Sequence, residues 1–94
     1  MNIELTILYD YYFSLLTDKQ RKYFEDYYFN NLSLQEISEN EKVSRNAVHN
    51  SLKEIEKKLN YYEENLKLYE KSKKIDNLIK DLDEDLKNKI KELI

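Results

Sequence analysis

The stretch that decides the fold covers residues 34–59 and reads LQEISENEKVSRNAVHNSLKEIEKKL. It has the spacing of a helix-turn-helix, in which a short helix carries Ile37 and the small Ser38 on its inner side. A short turn follows, where Val43 fills the angle between the helices. Ser44 then has the position and the hydroxyl oxygen needed to cap a second, longer helix.

The composition favours helices throughout the chain. None of the 94 residues is glycine or proline, and a sheet protein of this size needs several tight turns that those residues make best. The same lack excludes glycine-rich phosphate loops, while the absence of cysteine and the presence of a single histidine exclude disulfides and the usual zinc sites. We therefore predict an all-α fold, with a tri-helical helix-turn-helix core over residues 1–60 and a long C-terminal helical extension over residues 61–94. We expect no catalytic residue, metal site or cofactor.

Capping signals divide the N-terminal half into helices. Residues 2–16 are apolar on most faces and predict a buried helix. Thr17 with Gln20, and Ser33 with Glu36, have the spacing of capping boxes that begin the next two helices.

The turn of the helix-turn-helix departs from the usual pattern at two positions. Glu41 stands where an apolar residue is common, and Lys42 stands where glycine or asparagine is common. We expect an irregular turn in which the Glu41 side chain is rotated to solvent.

The C-terminal half carries a long apolar seam. Apolar residues recur at intervals of 4 and 3 from Val48 to Tyr69, which predicts one helix over 45–69, about 37 Å long. Residues 70–74 interrupt the pattern, and Ser72 is a candidate cap for a last helix. Two interpretations remain open: one bent helix, or two helices folded back on each other. We predict a dimerisation surface along this seam, formed by Leu59, Tyr62, Leu66, Tyr69, Ile75, Ile79, Leu82 and Leu86.

The distribution of charge points to DNA. The whole chain has a net charge of −3, but residues 41–60 carry five basic and three acidic side chains. Arginine recognises guanine and asparagine recognises adenine in the major groove, while lysines and helix N-termini bind phosphates. We predict a recognition helix over residues 44–58 that binds double-stranded DNA. Its base-reading side chains are predicted to be Arg45, Asn46, His49 and Asn50, with Ser33, Lys42, Ser44, Lys53 and Lys57 completing the DNA-binding set.

Other functions remain open at this point. Tri-helical modules of this kind also bind proteins, and the net acidity with the long apolar seam suits a protein- or ribonucleoprotein-binding adaptor. An enzyme is disfavoured, because the sequence offers no nucleophile–base pair. No apolar run approaches the ~20 residues of a membrane span and no signal peptide is visible, so we expect a soluble, cytoplasmic protein without a membrane partner.

Several stretches resemble a known family. LTDKQRKY at 16–23, LSLQEI at 32–37 and VSRNAV at 43–48 are similar to the YlxM family, small bacterial helix-turn-helix proteins associated with the signal recognition particle operon. The core is also similar to region four of primary sigma factors, which reads a promoter element. The resemblance implies a tri-helical core without a wing, a homodimer, a DNA-binding regulatory role, and components of the signal recognition particle as candidate partners.

Overall fold

The computed structural model describes residues 3–93, so Met1, Asn2 and Ile94 lie outside it, including the start of the helix predicted over 2–16. Within that range the chain is all-α, as predicted. The helices are α1 (Ile3–Tyr12), α2 (Asp18–Tyr28), α3 (Leu34–Glu41), α4 (Arg45–Leu66), α5 (Leu68–Ile79) and α6 (Glu84–Lys91), with a 3-10 turn at Phe13–Leu15 after α1. No helix in this part of the chain is long and apolar enough to cross a membrane.

The predicted capping boxes begin α2 and α3. The Gln20 amide donates to Thr17 Oγ1 at 3.1 Å, and the Thr17 amide donates back to Gln20 Oε1 at 3.0 Å. Ser33 and Glu36 make the same reciprocal pair at 3.0 and 3.2 Å. Each cap satisfies amide groups that have no partner inside the helix, so its contribution to stability is about 1 kcal/mol.

The core forms where α4 passes between the other helices. α4 packs against α1, α2 and α3, and its inward-facing side chains are spaced three and four residues apart. The fully enclosed side chains are Leu8, Tyr12, Phe24, Ile37, Val48, Ile55 and Leu59. Burial of each such apolar side chain contributes about 1.5–3 kcal/mol, so this one layer holds α1, α2, α3 and α4 together.

The turn between α3 and α4 corrects the prediction for Glu41. Lys42 adopts the left-handed conformation with φ of 58°, and the Val43 amide donates to the Ser38 carbonyl at 3.0 Å. Glu41 is half-buried instead of rotated to solvent, because the last turn of α3 lies beside α2 and brings its carboxylate 2.8 Å from Lys22 Nζ. That hydrogen bond and charge raise the pKa of Lys22 above its usual value.

The C-terminal extension differs from the prediction in the positions where its helices are interrupted. α4 ends at Leu66 and Lys67 takes a left-handed conformation, so a single helix over 45–69 is wrong. Residues 70–74 are helical and Ser72 lies inside α5 rather than capping a helix. A second break follows α5, and Asp83 caps α6 by accepting from the Leu86 amide at 2.9 Å. Because α5 packs against both α1 and α4, the extension folds back on its own chain.

A carboxylate from α4 explains the break at Lys67. Glu63 accepts hydrogen bonds from the Tyr69 amide at 3.2 Å and the Glu70 amide at 3.0 Å, which are unpaired donors at the start of α5. Tyr12 on α1 donates to Glu63 at 2.5 Å and accepts from the Leu68 amide at 3.0 Å. Burial and the bond to Glu63 raise the pKa of Tyr12 to about 12. This Tyr12–Glu63 cluster therefore caps α5 in place of a local side chain.

Candidate nucleic-acid interface

The N-terminal half of α4 presents an uninterrupted polar stripe. Its N-cap is formed as predicted, since Ser44 Oγ accepts from the Ala47 amide at 3.0 Å. At 100° per residue the stripe covers about 140° of the helix circumference, on the side away from Val48 and Ile55. It consists of Arg45, Asn46, His49, Asn50, Lys53 and Lys57, all of them exposed. We call this set the α4 stripe; it extends about 18 Å along the helix.

The remaining predicted DNA-binding residues lie around the N-terminal end of the stripe. Ser33, Lys42 and Ser44 are exposed, so every residue of the predicted set is open to solvent. The Ser33 and Ser44 oxygens accept capping hydrogen bonds, which leaves each hydroxyl hydrogen available to a phosphate oxygen. Lys42, in its left-handed turn, immediately precedes the capped start of α4.

The charges on the α4 stripe are largely free to meet an anion. Within residues 3–93, no carboxylate lies within ion-pair distance of Arg45 or Lys57. Lys53 Nζ lies 3.8 Å from Glu56, a long, exposed contact of little energetic weight. The exposed face of α3 has the opposite character, because Glu36 and Glu39 are both open to solvent.

Two adjoining cavities lie beside the α4 stripe, and the sequence interpretation did not anticipate them. One of about 260 Å³ is lined by Leu34, Arg45, Asn46 and His49. The other, of about 120 Å³, is lined by Tyr27, Tyr28, Leu34, His49, Leu52, Lys53 and Glu56. Leu34 and His49 are common to both, so the surface between α2, α3 and α4 is concave. In the described part of the chain, no group of three or more His, Cys, Asp or Glu side chains is placed to hold a metal ion.

The predicted dimerisation residues are split between the interior and the surface. Leu59 is fully buried and Ile79 is 7% exposed. Tyr62, Tyr69 and Ile75 are half-buried, and Tyr69 packs against Tyr11 with ring centroids 5.8 Å apart. For Leu59 the placement corrects the prediction, because the core of its own chain already encloses its side chain. The exposed members of the set are Leu66, Leu82 and Leu86.

These features place the chain among helix-turn-helix proteins: a short capped helix, α3, is joined by a tight turn to a longer capped helix, α4, which carries an exposed polar stripe. The model of one family, UPF0122, described as "Putative helix-turn-helix protein, YlxM / p13 like", matches residues 1–94. The chain belongs to this family, and the resemblance found in the sequence is confirmed. The family is described by its fold and not by a catalytic activity.

Individual relatives match about two thirds of the chain's length or less. The UPF0122 protein of Caldanaerobacter subterraneus subsp. tengcongensis is 53% identical over 58 residues, which cover 62% of this chain and 50% of the relative. The Malacoplasma penetrans protein is 48% identical over 59 residues, covering 63% and 55%. The Fusobacterium nucleatum protein is 40% identical over 67 residues, covering 64% and 65%. The chain thus spans about half the length of the first curated relatives it matches.

Proposed function

We propose that this chain is a DNA-binding regulatory protein that inserts the start of α4 into the major groove of a duplex. The observation that carries the proposal is the α4 stripe, which is exposed and begins at a capped helix N-terminus. The major groove is about 12 Å wide and admits a helix with its side chains. An 18 Å stripe spans roughly five base pairs at about 3.4 Å each.

The residues of the stripe divide by chemistry into two roles. Arg45 pairs with guanine, Asn46 and Asn50 pair with adenine, and His49 supplies a further contact with a base edge. Lys42, Lys53 and Lys57, with the Ser33 and Ser44 hydroxyls, contact phosphates on either side of the groove. The amides at the start of α4 add a partial positive charge that favours the approach of a phosphate.

The proposal includes a homodimer, because two copies bind two half-sites about one helical turn apart on one face of DNA. The exposed leucines of the extension supply the contact between copies: Leu66, Leu82 and Leu86. Deletion of residues 72–94 then converts the dimer to a monomer, which sedimentation or light scattering measures. A truncated chain that stays dimeric would put the interface elsewhere.

Titration of fluorescent duplexes selected from a random pool tests DNA binding. With three to four phosphate contacts per subunit, log K falls with log[salt] at a slope of roughly −3 per subunit. Arg45→Ala weakens binding by about 1–3 kcal/mol and relaxes the preference at one base pair. Lys80→Ala is the matched control, since it removes an exposed cation from the end of α5 and leaves affinity unchanged. Absence of salt-sensitive binding to every duplex would remove the proposal.

A second candidate is a protein- or ribonucleoprotein-binding adaptor of the signal recognition particle machinery. It is favoured by the acidic exposed face of α3, with Glu36 and Glu39, directly beside the α4 stripe. These carboxylates repel phosphates but suit a basic protein surface. Co-purification of signal recognition particle components that survives nuclease treatment, from a chain that binds no duplex, would favour the adaptor.

A further inference from the structure

A separate surface, between α1 and α2, carries a row of three aromatic rings. The Tyr9 ring lies in the middle, with ring centroids 5.9 Å from Phe13 and 5.7 Å from Phe29. Phe13 is 44% exposed and Phe29 is 47% exposed. Beneath them, Tyr9 stacks on the buried Phe24 at 4.4 Å, so the row rests on the core and is held in place.

Charged side chains surround one end of this row. A cleft of about 450 Å³ beside Tyr9 and Phe13 is also lined by Asp18, Arg21, Lys22, Glu25, Asp26 and Asn30. We call these eight residues the α1–α2 cleft. Its floor is aromatic and its rim is polar, a combination typical of a surface that binds a ligand with both apolar and charged groups.

The cations of the cleft are already neutralised, whereas two carboxylates are not. Arg21 pairs with Asp18, and Lys22 pairs with Glu41. Within residues 3–93, Glu25 and Asp26 have no cation at ion-pair distance. Burial and a hydrogen bond to Glu25 raise the pKa of the Tyr9 hydroxyl to about 12, so Tyr9 stays neutral beside these carboxylates. The charge left for a ligand is therefore negative.

The N-terminal part of the chain, which contains the cleft, also carries a net negative charge. Residues 1–40 carry three Lys or Arg and seven Asp or Glu, a net charge of −4. This field attracts a cationic partner and repels nucleic acid. The cleft shares no lining residue with the two cavities beside the α4 stripe.

We propose that the α1–α2 cleft is a docking site for a basic, amphipathic segment of a partner protein. An arginine or lysine of that segment meets the Glu25 and Asp26 carboxylates, and a neighbouring apolar side chain packs on Phe13. Exposed aromatic faces also attract cations, which strengthens the preference for arginine. The cleft can be filled while α4 is bound elsewhere, so this inference does not depend on the proposed DNA binding.

Isothermal titration with a defined probe tests the docking site. The probe is a synthetic amphipathic helix of leucine and arginine, about five turns long, and its counterpart carries glutamate in place of every arginine. The basic peptide binds the full chain and the acidic peptide does not. Affinity falls about tenfold or more in Phe13→Ala/Phe29→Ala and in Glu25→Gln/Asp26→Asn, because each pair removes one half of the recognition.

Matched variants separate a site from general attraction to an acidic protein. Asp81→Asn/Asp85→Asn neutralises two exposed carboxylates away from the cleft and leaves the affinity unchanged. Circular dichroism verifies that the variants fold. Because both phenylalanines are exposed, we expect their replacement by alanine to leave the fold intact. An equal loss in the Asp81/Asp85 control, equal binding of both peptides, or no binding of the basic peptide would each overturn the proposal. Conversion of a dimer to a monomer by Phe13→Ala/Phe29→Ala would also overturn it, since the occupant would then be a second copy.

Discussion

The core formed by α1 to α4 and the C-terminal extension carry the same kind of apolar repeat, but the repeat is buried in the core and largely exposed in the extension. In the core, Val48, Ile55 and Leu59 are completely enclosed by helices of the same chain. Across residues 68–93, Ile79 is the one apolar side chain that is buried, while Leu78 is 82% exposed and Leu93 is 87% exposed. A repeat of apolar residues at helical spacing therefore predicts a helix. Whether those apolar side chains are buried depends on whether another element of the chain packs against them.

The largest contrast is expected between two leucines of the same seam. Leu59→Ala leaves a cavity in the core and lowers the free energy of unfolding by about 2–5 kcal/mol. Leu86→Ala on α6 has a much smaller effect, because the side chain is 43% exposed. Urea denaturation at several protein concentrations measures both. A cost for Leu86→Ala that grows with protein concentration would place that leucine in a dimer interface.

The Tyr12–Glu63 cluster joins the core to the C-terminal extension, and the substitution Glu63→Gln tests how strongly it stabilises the start of α5. The substitution weakens two hydrogen bonds to the start of α5, each of them strengthened by the carboxylate charge, and costs about 1–3 kcal/mol. Hydrogen exchange should accelerate in α5 while the amides of α4 near Ile55 keep their protection. Equal acceleration in both helices would mean that the core and the extension unfold as one unit.

Helix caps give a smaller effect with a built-in control. Ser33→Ala removes the cap of α3 and costs about 1 kcal/mol. Ser72→Ala leaves stability nearly unchanged, because that serine lies inside α5 and caps no helix. Thermal unfolding of the two variants compares them directly. A larger cost at Ser72 than at Ser33 would contradict the position of the break at Lys67.

Alkaline pH is expected to lower the free energy of unfolding, but only above pH 10. The pKa values of Tyr9 and Tyr12 rise to about 12 in the folded chain, from an ordinary value of 10.0. Their neutral forms therefore contribute stability that is complete below pH 10 and is lost as the pH rises through 12. Absorbance of tyrosinate should show Tyr9 and Tyr12 ionising late, with Tyr12→Phe removing one late step. An unchanged titration of the Tyr12→Phe variant above pH 10 would contradict this expectation.

Most of the candidate interface could be predicted from the sequence, because it lies along one helix. Helical periodicity places Arg45, His49 and Lys53 on the same side, and the structure leaves the whole predicted set exposed. The cavities beside it could not be predicted in this way. They bring Leu34 on α3 and Tyr27 on α2 next to α4, and such contacts depend on how three helices cross.

The sequence by itself determined where three helices begin, since Thr17, Ser33 and Ser44 bond to amides only three residues away. Tertiary structure decided where helices end and which seams are covered. At the end of α4, Glu63 bonds across the break to the Tyr69 and Glu70 amides, and Tyr12, 51 residues from Glu63, holds that carboxylate in place. Likewise Glu41 turns inward because Lys22 lies on a neighbouring helix. Caps are hydrogen bonds between residues three positions apart, so a short segment of the sequence can form them by itself. The burial of side chains and the contacts at the helix break need partners that only the folded chain brings together.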